Sequence, residues 1–102
     1  MSDAQSLSLG DTLDMTAAGP LASGLLERRG LPIEVDASQV RRIGGQCLQV
    51  LLSARATWQA DGQDFQIVNP SPDFAEGVAL MGAADLAPAG FADIALIEEE
   101  TP

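Results

Sequence analysis

The chain has 102 residues, 46% of them hydrophobic, and sets 15 acids against five arginines for a formal charge of −10. That length supports one core, and that charge argues against nucleic acid and bare anionic membrane as partners. With no histidine, one cysteine (Cys47) and no run of ~18 apolar residues, the composition argues against a metal site, an enzyme's usual proton shuttle and direct membrane insertion.

Periodicity alternates along the chain. After a frayed start, Ser6 to Gly10 ("SLSLG") has period two and reads as a short strand, with Thr12 to Met15 as a candidate second strand. "TAAGPLASGLLERRG" then takes helical spacing: Leu21, Ala22, Leu25 and Leu26 form a stripe, Pro20 is expected in the first turn, and Gly30 follows the end. Arg28 and Arg29 are expected in the last turn, solvated and complementing the helix dipole.

Leu31 to Ser38 ("LPIEVDAS") is the clearest strand, and a long helix is expected over Gln46–Ala60. On a helical projection Cys47, Leu48, Val50, Leu51, Leu52, Ala54 and Trp58 share a broad apolar arc, with Gln46, Gln49, Ser53 and Thr57 opposite. Trp58 and Cys47 are expected in the core, and Arg55, inside that arc, is expected to lie flat over aliphatic surface. Asp64 to Asn69 alternates as a strand. "NPSPDF" is the sharpest local signal: Ser71 as helix cap, Pro72 as first helical residue and Asp73 as first-turn acid. Phe74, Val78 and Met81 continue that helix to about Gly82. Phe91 to Ile97 is a candidate final strand. The fold class that results is α/β, a sandwich of a small mixed sheet and packed helices, with residues 1–97 as one domain and 98–102 as an acidic tail.

In order and spacing, "EVDASQV", "QCLQVLLSA", "FQIVNPSP" and "VALMGAADL" resemble the STAS domain, the anti-sigma-factor-antagonist family, over about Leu13 to Leu86. The resemblance implies a cytoplasmic, non-enzymatic bacterial module without a cofactor that binds a protein partner. That partner would be a kinase-like anti-sigma factor, a chemosensory component or a transporter ATPase. The family's phosphoacceptor lies in an Asp-Ser-Ser-Gly-Leu-like stretch opening the long helix. Alignment on Ile43 and Leu48 puts Gly44, Gly45, Gln46 and Cys47 there, so Gln46 stands at the acceptor position without a hydroxyl. Ser38, Ser53 and Thr57 are alternative hydroxyls, none at the family's position.

The resemblance implies a docking surface of Arg41, Arg42, Gly44, Gly45, Gln46, Gln49 and Ser53. Two alternatives stand beside signalling: the STAS subunit of a phospholipid ABC transporter bound to its ATPase, and a small-ligand or nucleotide domain using the Gly-Gly turn. The bland reading of that pair is a tight strand-to-helix turn with glycine as a passable cap. Self-pairing into a homodimer through an apolar helix face is also open.

Overall fold

In a computed structural model, residues 5–86 are described; the candidate strand Phe91–Ile97 and the acidic tail lie outside them. The first strand, β1 (Gln5–Ser8), is followed by the two-residue β2 (Thr12–Leu13) and helix α1 (Met15–Leu26). Then come β3 (Ile33–Asp36), β4 (Arg42–Ile43) and α2 (Gly45–Ala60). β5 (Phe65–Val68), α3 (Pro72–Leu80) and a closing 3-10 turn (Ala84–Leu86) complete the described residues.

β1, β3 and β5 form a three-stranded parallel sheet in that order, and β2 pairs in parallel with β4. Right-handed crossovers through α1 and α2 put both helices over one face of the larger sheet. Exposure alternates accordingly. Leu7, Ile33, Val35 and Ile67 point inward, whereas Ser6, Ser8, Glu34 and Gln66 are exposed on the face that no described helix covers. The expected α/β sandwich is present.

The core is aliphatic, closed by Trp58 and Phe74, both essentially without solvent contact. Trp58 donates its indole N–H to the Leu31 carbonyl at 2.7 Å and meets the Phe65 ring edge-on at 5.9 Å. That locks the end of α2 to the beginning of β3. Glycines at positive φ, Gly62 (71°) and Gly82 (85°), end α2 and α3. In each, the glycine amide and the one after it fold back onto the last turn, as the Gln63 N–H to Trp58 carbonyl bond of 2.9 Å shows.

Three sequence expectations need correction. α1 begins earlier than expected, because the Asp14 carboxylate accepts the Thr16 N–H at 3.0 Å and caps the helix at Met15. Pro20 therefore lies inside α1 rather than in its first turn, and Met15 is helical rather than the end of a strand. The arginine pair lies just past the helix and is not simply solvated. Arg28 donates to the Gly24 carbonyl at 2.8 Å, and Arg29 makes a bidentate pair with Asp61 at 2.8 and 3.1 Å. In the α1 stripe only Leu25 is fully buried, and Leu26 is 64% exposed.

Ser71 acts as expected, accepting the Phe74 N–H at 3.0 Å, and its hydroxyl also donates to the Val40 carbonyl at 2.6 Å. Ser71→Ala removes both bonds at once. The expected cost is roughly 1–3 kcal/mol, read as a lower denaturation midpoint in urea at unchanged slope. A loss under about 0.5 kcal/mol, near the floor for a cap, would contradict it.

Candidate docking edge at the start of the long helix

The site is assembled where strands end and helices begin. The backbone N–H groups of Arg41 and Arg42 both donate to the Asp11 carbonyl, at 2.8 and 3.2 Å, and the Gly44 N–H donates to the Leu13 carbonyl at 2.9 Å. These bonds lay β4 along β2 and aim the chain into α2. Gly44 is the N-cap residue, with φ −101° and ψ 174° and no side-chain cap. That conformation is open to any residue, so a tight turn does not account for this glycine; an added Cβ would meet only the Leu13 carbonyl oxygen, at an ordinary 3.6 Å. The glycines leave the first turn bare. Its leading amides have no intrahelical acceptor, and among the described residues no side-chain oxygen is supplied to them.

Around this bare turn the expected residues come together. Arg41, Arg42, Gly45 and Gln46 are exposed, while Gly44 is half-buried. Gln46, Gln49 and Ser53 lie on one exposed face of α2, at helical spacing. Neither arginine forms an ion pair among the described residues, and both line an open depression of about 420 Å³ with Thr12 and Asp73. Thr12 and Asp73 were not expected here. Nor was Met15, 70% exposed at the start of α1, whose preceding residue accepts the Cys47 thiol on its carbonyl at 3.3 Å. No spacing in the sequence signals that the two helix starts lie side by side.

Cys47 and Trp58 are core, as expected. Burial, and secondarily the Asp14 carboxylate, push the Cys47 thiol above its ordinary value, so it stays protonated at neutral pH. Arg55 is half-buried and reaches Asp85 at 3.3 Å. Ser38 is exposed; its hydroxyl and N–H, with a smaller contribution from Asn69, hold the Asp36 carboxyl below its usual range. Among the described residues no group of three His, Cys, Asp or Glu side chains is placed to hold a metal ion, and no helix is long and apolar enough to cross a membrane.

A family model described as "Mlab, STAS domain" matches residues 1–88. The chain belongs to the STAS domain family. Neither the curated proteins nor the solved structures compared with it gave a match. Protein–protein interaction is the general role this membership supports.

The candidate edge of this STAS domain is supported from behind by α3. A Cβ on Gly77 would come within 2.8 Å of the Ile43 Cγ2 atom, so α3 can approach β4 only without a side chain there. Ile43 is β-branched and cannot swing that methyl away cheaply. Gly77→Ala should therefore destabilise the domain by about 1 kcal/mol, the net of roughly 1–3 kcal/mol of overpacking and about 1 kcal/mol of helix propensity. In an Ile43→Ala background the sign should reverse and Gly77→Ala should stabilise. The same sign in both backgrounds would refute the contact.

Asp61 is held below its ordinary 3.8 by the Arg29 guanidinium; the Thr16 hydroxyl does the same for Asp14. A carboxylate whose folded value is depressed adds stability above its unfolded value and loses it as pH falls through the folded one. Melting of wild type and Asp61→Asn should therefore differ most above pH 4 and converge as the pH falls below about 3.8. A gap that widened on acidification would contradict the pairing.

Proposed function

We propose that this STAS domain is a non-catalytic docking module of bacterial signal transduction, of the anti-sigma-factor-antagonist or chemosensory type. It works in the cytoplasm and binds a kinase-like partner through Arg41, Arg42, Gly44, Gly45 and Gln46, continued along α2 by Gln49 and Ser53. The carrying observation is Gln46: exposed on the first turn of an uncapped helix, at the family's acceptor position, with no hydroxyl to phosphorylate. Its neutral amide stands in for a permanently unphosphorylated side chain. Binding is then controlled by the abundance or nucleotide state of the partner rather than by phosphate at this turn. The domain is taken as residues 1–97, with 98–102 as an acidic tail.

A second reading is kept by the description of the matching family model, which names Mlab. The domain would be the STAS subunit of a phospholipid ABC transporter, seated on its ATPase by the same edge.

One experiment separates these. Tagged wild type and Gln46→Asp are used to capture partners from the native cytoplasm, and the proteins recovered are quantified by mass spectrometry. Aspartate places negative charge where a phosphate would otherwise sit. A kinase-like anti-sigma factor or chemosensory protein held by wild type and lost about tenfold by the variant, a weakening of about 1.4 kcal/mol, supports signalling. A transporter ATPase with the same dependence replaces it with the second reading. Equal recovery of every protein by both forms would overturn the docking edge.

A further inference from the structure

A second surface adjoins the first across β2: Thr12 lines both depressions, but none of Arg41–Gln46 belongs to the second. β1 is the last strand on its side of the sheet, so one of its edges has no partner strand among the described residues. The Gln5 N–H donates to the Pro32 carbonyl and the Leu9 N–H to the Asp36 carbonyl, both at 2.9 Å, so odd-numbered residues face β3. Backbone groups alternate in direction along a strand, and Ser6 and Ser8 therefore turn their N–H and C=O groups to the open edge. "QSLS" carries no charge and no proline, two of the devices that normally protect an edge.

Beside that edge, on the helix side of the sheet, is a crevice of about 250 Å³ walled by Leu7, Leu9, Leu13, Ala17, Pro20 and Leu21. Added strands place every second side chain on one face. A strand laid against Ser6 and Ser8 would drop those side chains between α1 and the sheet.

We propose that the β1 edge and this crevice dock an extended segment of a partner protein, in which aliphatic side chains alternate with basic ones. The main chain of the segment pairs with Ser6 and Ser8, and its aliphatic side chains fill the crevice. The crevice is smaller than the roughly 300–1,000 Å³ of ordinary small-molecule sites and matches one or two aliphatic side chains. A second copy of the chain fits poorly, since each copy carries −10. Two four-residue strands also bury far less than the ~1,000 Å² of a stable interface. Basic residues on the incoming segment complement that charge, with Asp11 exposed beyond the end of the strand and Glu34 exposed on the face that no described helix covers.

The test is selection of a displayed library of peptides about ten residues long, near the upper strand length, against the full chain. Peptides alternating Val, Ile or Leu with Lys or Arg should be enriched. In NMR titration they should shift the Ser6 and Ser8 amides and the Leu7, Leu13 and Leu21 methyls. Ser8→Pro deletes an outward N–H without touching the β3 ladder and should weaken binding about tenfold, or about 1.4 kcal/mol; Leu21→Asp should do likewise, and Gln46→Asp should leave it unchanged. The proposal is overturned by the absence of alternating peptides among those enriched, or by shifts confined to α2. Concentration-dependent dimerisation blocked by Ser8→Pro would also overturn it, as would protection of the Ser6 and Ser8 amides that disappears when residues 87–102 are deleted.

Discussion

The Ser71 hydroxyl faces two ways, and the proposed docking edge depends on both. It accepts the Phe74 N–H and so begins α3, and it donates to the Val40 carbonyl and so holds the turn leaving β3. The Ser71 N–H adds a bond of 3.1 Å to the Ala37 carbonyl in the same turn. From there the path to α2 is short. The Asp11 carbonyl fixes Arg41 and Arg42, the Leu13 carbonyl fixes Gly44, and Gly77 lets α3 press against Ile43. Two-residue strands such as β2 and β4 are too short to be stable alone. They persist because they pair with each other while α1 packs on β2 and α3 packs on β4. The bare first turn of α2 is thus held in place before any partner arrives, which removes much of the ordering cost of association.

Electrostatics give that edge its character. Most of the surface is acidic, yet two of the chain's five cations lie side by side beside a helix start whose dipole is positive and whose cap has no oxygen. α1 and α3 start nearby with acids in place, Asp14 as a cap and Asp73 in the first turn. Only α2 among these three helices lacks both. A partner that supplies hydrogen-bond acceptors or a carboxylate there would satisfy groups this chain leaves open.

Much of the fold was legible because its signals are local. The "NPSPDF" stretch writes a cap, a first-turn proline and a first-turn acid in consecutive positions, and α3 follows as read. The strands β3 and β5 lie within the stretches where apolar residues alternate, and the long helix differs from its expected start by one residue. The misses are non-local or competitive. β4 is two residues long and leaves no period to detect. At α1 two start signals competed, and the Asp14 cap prevailed over a first-turn position for Pro20. The Arg29–Asp61 pair joins residues 32 apart, which no window of sequence reveals. For the proposed docking edge, Arg41 to Gln46 rest on the family's motif, whereas Met15, Thr12 and Asp73 come beside them only through the β2–β4 pairing and the position of α3.

The central claim is that this edge binds its partner without a phosphate switch, and the intact mass of the protein bound to that partner in its own cells tests it most directly. The complex is isolated from cells grown under several conditions, and the bound and unbound pools of the chain are weighed separately. One unmodified species is expected in both pools under every condition. A phosphorylated species, on Ser38, Ser53 or any other hydroxyl, present in the unbound pool and missing from the bound one would contradict it.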